Sequence, residues 1–121
     1  EIWLWLEFRR VLFRSEYYGN YGFETPYAAW LKVEDPKNII KVTVEQILAA
    51  FETDGFEEVD TILHVGGALG LVNMLSELEE KLDRPIVSSN SAAYWYAHRK
   101  FGIKDTRNDI GKLWTMADVV D

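Results

Sequence analysis

Apolar residues recur at helical spacing in three stretches of the chain. The first stretch follows Thr43, a residue type favoured at the N-cap of a helix. The second runs from Leu69 to Leu82 with a clear amphipathic pattern. The third follows Ser88-Ser89-Asn90, which can cap a helix, and it ends at Gly102. These patterns predict three helices, the first of which is ended by Asp54-Gly55.

Short apolar runs alternate with these helices. They cover Ala28 to Val33, Val59 to Val65 and Pro85-Ile86-Val87. A short, mainly apolar run such as Val59 to Val65 is typical of a strand buried in a parallel sheet, whereas Ala28 to Val33 is interpreted as a strand or an extended segment. The order strand, helix, strand, helix, strand, helix predicts an α/β fold with a mainly parallel sheet flanked by helices. Asp35-Pro36-Lys37-Asn38 is a turn signal between the first strand and the first helix.

Residues 1–15 differ from the rest of the chain because their apolar residues lead into no clear cap or turn. The run from Glu7 to Ser15 resembles the translation of a sequencing adapter at the end of an assembled fragment. A genuine amphipathic helix is the alternative interpretation. On the first hypothesis the native protein begins near Glu16, and residues 16–121 form one α/β lobe whose preceding lobe is missing.

The composition restricts the class of function. The formal net charge is −7, which argues against a nucleic-acid or anionic-membrane partner, because those surfaces are bound through clustered Lys and Arg. The chain has no cysteine, so disulfides, thiolate metal sites and a cysteine nucleophile are excluded. Its two histidines do not suggest a zinc site. No apolar run reaches the roughly 20 residues of a membrane helix, and we expect a cytoplasmic protein.

The stretch from Asp60 to Gly70 carries the most chemical information. It reads as a buried strand, a glycine turn at Gly66-Gly67 and the start of a helix. Ligands of α/β sheets bind at the carboxyl ends of strands, where a helix N-terminus offers free N–H groups to an anion. A carboxylate site and a simple tight turn both fit this stretch. The glycine spacing matches neither a dinucleotide-binding turn nor a phosphate-binding loop.

A second stretch, from Glu77 to Ala92, continues to Trp95, Ala97 and Arg99. Taken with the stretch from Asp60 to Leu75, it resembles the C-terminal lobe of the arylmalonate decarboxylase family. Relatives of that family include maleate isomerase and the aspartate, glutamate and hydantoin racemases. The resemblance is good over residues 59–113 and looser over residues 16–58.

The resemblance implies two similar lobes with a site between them and chemistry without a cofactor or metal. It implies a small carboxylic acid as substrate, decarboxylated, racemised or isomerised through an enolate-like intermediate. The family's catalytic cysteine falls on Gly66, and the backbone N–H groups of Gly67 and Ala68 would hold the substrate carboxylate. A lobe without its partner would supply only half of such a site, so we expect the chain alone to be inactive. It would also expose an apolar face, so we expect association with the missing N-terminal lobe or, in its absence, a homo-oligomer.

Gly66 departs from the family pattern, because glycine has no proton to donate. His64 shares strand parity with Gly66 and is a candidate substitute acid; a strand histidine satisfied by a neighbour is the alternative. Ser89 and Asn90 could cap the third helix or bind substrate. The rival functions are a catalytically silent carboxylate-binding protein and an inactive structural fragment.

Three further groups of side chains have simpler expectations. Tyr94, Trp95 and Tyr96 are expected to pack against the sheet or the partner lobe. Arg99 is expected to be a solvated helix charge or the partner of a carboxylate. The glutamates of the second helix are expected to lie mostly on its solvent face; they are Glu77, Glu79 and Glu80.

Overall fold

A computed structural model describes residues 16–25, 35–52, 56–65 and 70–119. Within them, strands β1 (Ile62–His64) and β2 (Ile86–Ser88) form a parallel pair. The chain also forms helices α1 (Val44–Ala49), α2 (Leu75–Leu82) and α3 (Ser89–Lys100). The 3-10 helix Pro36–Lys41 precedes α1, Phe56–Glu58 precedes β1 and Lys112–Thr115 follows α3. The predicted α/β class with a parallel sheet is confirmed.

The start of α1 is fixed by its sequence. The Thr43 side chain accepts a hydrogen bond from the Gln46 backbone N–H, and the Gln46 side chain accepts one from the Thr43 backbone N–H. This reciprocal capping box satisfies two backbone donors and confirms the predicted N-cap. The turn predicted at Asp35 is also confirmed, since its carboxylate accepts from the Lys37 backbone. Asp54-Gly55 and the strand predicted at Ala28 to Val33 lie outside the described residues.

Helix α2 begins later than predicted. Residues 70 and 71 are not helical, residues 72–74 form a turn, and the helix starts at Leu75 rather than Leu69. Gly70 is a poor helix former, and Leu71 is drawn into the core with only 4% of its surface exposed. The helix ends at Asp83, which takes the left-handed conformation common at helix C-termini.

The core lies between α1, α2 and one face of the sheet. Its centre is made of Leu75 and Leu78, which are almost fully buried. Apolar burial of this kind is the main stabilising contribution in a small domain. Four further buried residues complete the cluster: Ile47, Ile62, Leu71 and Ile86. Leu63, on the opposite face of β1, is 47% exposed, so the expectation of a strand buried on both faces is wrong for β1.

The segment after α3 folds back across that helix. Trp95 is buried, and its indole N–H donates to the Met116 carbonyl. The Arg99 guanidinium donates to the carbonyls of Ile103, Asp105 and Met116. The half-buried Arg99 therefore bonds backbone carbonyls instead of projecting into solvent, and it pairs with no carboxylate among the described residues. A planar guanidinium with five N–H donors can bond several carbonyls at once, which fastens residues 103–116 to α3.

Two other expectations for side chains are corrected. Tyr94 is 68% exposed and Tyr96 is 47% exposed, so neither packs against the sheet, although both flank the buried Trp95. Their packing against the partner lobe stays a prediction. Glu79 is buried on α2, while Glu77 and Glu80 are exposed as predicted.

Within the described part of the chain, no helix has the length and apolar character needed to cross a bilayer.

Candidate functional site

The carboxyl ends of β1 and β2 bring His64 and Ser88 together. The two residues are partners in the parallel register, and His64 Nδ1 lies 3.0 Å from Ser88 Oγ. Ser88 is 3% exposed and His64 is half-buried. Because ligands of parallel sheets bind beyond these strand ends, the pair stands where a reacting group would be needed.

Ser88 occupies the N-cap position of α3, yet its side chain makes no capping hydrogen bond. The hydroxyl is engaged with His64 instead. Ser89 and Asn90 form the first turn of α3 rather than preceding it, and their contact with a substrate stays a prediction. The first turn of α3 therefore lies directly beside the His64–Ser88 pair, with its N-terminal backbone groups at the same edge of the sheet.

Burial lowers the pKa of His64 below its usual value of 6.5. The neutral imidazole therefore predominates at pH 7, and protonation requires a more acidic solution or a nearby negative charge. A bound carboxylate would supply such a charge and would favour the imidazolium form. The hydrogen bond to Ser88 fixes the ring while leaving its other nitrogen for a further partner.

Folding stability should depend on pH through His64. The unfolded histidine binds a proton near pH 6.5, whereas the folded one resists protonation until lower pH. Stability is therefore complete above about pH 6.5 and is lost as the pH falls through the lowered pKa of the folded state. In urea titrations between pH 7.5 and about pH 5, a His64→Gln variant should lose less stability than the parent chain.

A His98→Gln variant is the matched control for this prediction, because it removes the other histidine and leaves the His64–Ser88 pair intact. His98→Gln should still show the part of the decrease in the free energy of unfolding at low pH that is absent in His64→Gln. Equal pH dependence in the parent chain and in His64→Gln would show that the burial of His64 has no energetic effect on folding.

Gly66, Gly67 and Ala68 lie outside the described residues. Their roles, and the shared orientation of His64 and Gly66, stay predictions from the sequence. The structure does place the described ends of that turn: Val65 follows β1 directly, and Gly70 leads into the turn before α2. No three His, Asp or Glu side chains in the described ranges cluster as metal ligands would.

Sequence reasoning did not find the His64–Ser88 contact. The parallel register, with the last residues of the two strands opposite each other, is the signal that could have found it. The sequence predicts separate roles for the two residues: a substitute acid for His64 and a helix cap for Ser88. Their pairing gives His64 a polar partner, which also satisfies the alternative interpretation of a strand histidine bonded to a neighbour.

Comparison with known families gives one assignment. No curated protein and no solved structure matches the chain. The sequence profile of the family described as arylmalonate decarboxylase matches residues 11–114, which is well over half of the chain and includes β1, β2 and helices α1 to α3. This chain belongs to the arylmalonate decarboxylase family.

Proposed function

We propose that this chain is one lobe of a cofactor-free enzyme that decarboxylates, racemises or isomerises a small carboxylic acid. The family match over residues 11–114 is the observation that carries the proposal. In this proposal, the substrate binds beyond the carboxyl ends of β1 and β2, between this lobe and an N-terminal lobe of the same protein. The backbone N–H groups of Gly67 and Ala68 hold a carboxylate and stabilise the charge of an enolate-like intermediate.

Loss of carbon dioxide from a malonate-type acid leaves the bonding electrons on the α-carbon and its remaining carboxylate. That enediolate must then take up one proton at carbon. His64 is a candidate donor on this lobe, because Ser88 holds it at the strand end, two residues before Gly66. Its imidazolium form can donate a proton and return to the neutral form that burial favours.

A catalytically silent carboxylate-binding protein is the second candidate. It is favoured by Gly66, which has no side chain where the family pattern implies a thiol. Binding and turnover would then be separate properties, because backbone donors can hold a carboxylate without any acid nearby. Both candidates require the same carboxylate site at the turn after β1.

Phenylmalonate labelled with ¹³C at its carboxyl groups tests both candidates on the two-lobed protein of the proposal, in which this chain is joined to its N-terminal lobe. NMR titration should show saturable binding with shifts of the His64 ring resonances, at millimolar or lower dissociation constants for a ligand of this size. Release of labelled carbon dioxide and phenylacetate would support the enzyme. Saturable binding without product would support the binding protein.

His64→Gln and His98→Gln are compared in the same titration. The first variant changes the strand-end site and should alter phenylmalonate binding or turnover, whereas the second lies near the C-terminal end of α3 and should not. Absence of binding, or binding that responds only to His98→Gln, would contradict a carboxylate site at the strand ends.

A further inference from the structure

A cavity lies between α3 and the segment that folds back across it. Its volume is about 580 Å³, within the range usual for sites of small organic ligands. The strand-end pair His64 and Ser88 is not among its described lining residues. The cavity therefore offers a ligand a set of described groups other than that pair.

One wall is built from alternate residues of the returning segment. Ile103, Asp105 and Arg107 line the cavity, whereas the intervening Lys104 pairs with Asp118 at 2.6 Å. This alternation is typical of an extended chain, in which every second side chain faces the same way. The wall thus carries an apolar residue, a carboxylate and a guanidinium in a row, each about 6–7 Å from the next.

The wall is held in place before any ligand binds. Arg99 donates to the carbonyls of Ile103 and Asp105, and the Arg107 backbone N–H donates to the Trp114 carbonyl at 2.9 Å. These bonds fix both ends of the row against α3 and the last 3-10 turn. A site that is already ordered loses less conformational entropy when it binds a ligand.

The guanidinium of Arg107 is held in one orientation, but only some of its N–H groups donate hydrogen bonds. Its Nε and one terminal nitrogen donate to the two carboxylate oxygens of Asp109, at 2.9 and 2.6 Å. An arginine has five N–H donors, and the other terminal nitrogen makes no hydrogen bond to any described residue. Among the described residues, the Asp105 carboxylate likewise has no hydrogen-bond or ion-pair partner.

The opposite wall is one face of α3. Ser91, Tyr94 and His98 are spaced by three and four residues, as neighbours on a helix face are. The Ser91 hydroxyl accepts from the Trp114 indole N–H at 2.8 Å, and the His98 ring meets the Trp114 ring edge-on at 5.3 Å. Trp114 therefore connects the two walls.

Apolar and aromatic side chains supply most of the remaining lining. Val72 and Ile110 add aliphatic surface to the aromatic rings of Tyr94 and Trp114. An aromatic or large aliphatic group would bury its surface here. The polar groups of the cavity are concentrated on the wall of Asp105 and Arg107.

We propose that this cavity binds a free α-amino acid with a large apolar or aromatic side chain. The unused edge of Arg107 receives the ligand carboxylate, the Asp105 carboxylate receives the ammonium group, and the side chain lies against Tyr94 and Trp114. A ligand with only a negative charge would be repelled by Asp105 and Asp109. One with only a positive charge would leave the free edge of Arg107, which is already paired with Asp109, without an acceptor. A zwitterion uses both the Asp105 carboxylate and the free Arg107 N–H groups.

Three ligands with the same phenyl group test the proposal. L-Phenylalanine carries both charges, phenethylamine carries only the positive charge, and 3-phenylpropanoate carries only the negative charge. Isothermal titration of the 121-residue chain should rank phenylalanine tightest. The Trp114 indole NMR signal, assigned with Trp114→Phe, should shift on binding. Asp105→Asn and Arg107→Gln should each weaken phenylalanine binding by at least about tenfold, as expected when a charge-assisted hydrogen bond is lost.

Lys104→Gln and Asp118→Asn are matched controls, because they make the same charge changes in an ion pair outside the cavity. They should leave phenylalanine binding unchanged within about twofold. Equal losses in the cavity and control variants would overturn the proposal, as would equal affinity for the three ligands. So would the absence of binding at about 10 mM phenylalanine. Phenylmalonate turnover plays no part in these outcomes, so failure here is distinguishable from failure of the proposed function.

Discussion

Replacing Glu79 with alanine should lower the free energy of unfolding by about 2–4 kcal/mol. The Glu79 side chain lies on α2 with 7% of its surface exposed, and it accepts hydrogen bonds from two backbone N–H groups in other parts of the fold. One comes from Ile86 at 2.9 Å, at the start of β2. The other comes from Lys112 at 3.0–3.1 Å, at the start of the last 3-10 turn.

The large effect follows from what alanine would leave behind. Two backbone donors would lose a charged acceptor, and the Ile86 N–H is buried where water cannot readily replace it. The site is also closely fitted: a β-carbon on Gly111 would lie 3.2 Å from the Glu79 carboxylate oxygen, and Gly111 has a φ of +97°. Glu79 thus joins α2, the sheet and the C-terminal segment through a single side chain.

Two variants separate this explanation from the loss of a helix charge. Glu80→Ala removes an exposed carboxylate from the same helix and should change stability by less than about 0.5 kcal/mol. Glu79→Gln keeps an oxygen able to accept from both N–H groups and should lose only part of the stability that alanine loses. Urea unfolding followed by tryptophan fluorescence measures all three, and similar losses for Glu79→Ala and Glu80→Ala would contradict the role given to Glu79.

Local sequence signals predicted the elements that depend on neighbouring residues. The N-cap at Thr43 needed only Gln46 three residues later, and the end of α3 needed only Gly102, which has a positive φ. The β1–β2 pair followed from two short apolar runs separated by one helical pattern. In each case the residues that determine the element lie within one turn of it or in one βαβ unit.

Long-range contacts account for what the sequence did not predict. Glu79 lies on a helix whose other glutamates are solvated, and its two donors, the backbone N–H groups of Ile86 and Lys112, come from seven and 33 residues later in the chain. The sequence predicts a solvated Arg99 because nothing in it marks the actual acceptors. They are backbone carbonyls, which every residue has. The cavity between α3 and residues 103–114 also required that return, so neither Asp105 nor Arg107 stood out beforehand.

Gly66→Cys is the substitution with the largest expected effect on activity. In the proposed function, this position is where a proton should reach the enediolate, and general acids commonly contribute about 10²–10⁴-fold in rate. Installing a thiol there should raise phenylmalonate decarboxylation by this order over the parent protein. Because the proposed site lies between two lobes, the rates are compared between variants of the two-lobed protein at saturating phenylmalonate.

Gly66→Ala is the matched control, because it adds the same β-carbon without a proton donor. Phenylacetate formation, measured by chromatography with binding checked by NMR, should rise for cysteine and not for alanine. A further His64→Gln change in the cysteine variant should leave its rate nearly unchanged, since the thiol would replace the imidazole as donor. If the cysteine variant binds phenylmalonate and yet forms product no faster than the alanine variant, position 66 is not where the proton is delivered, and the second candidate, a binding protein, gains support.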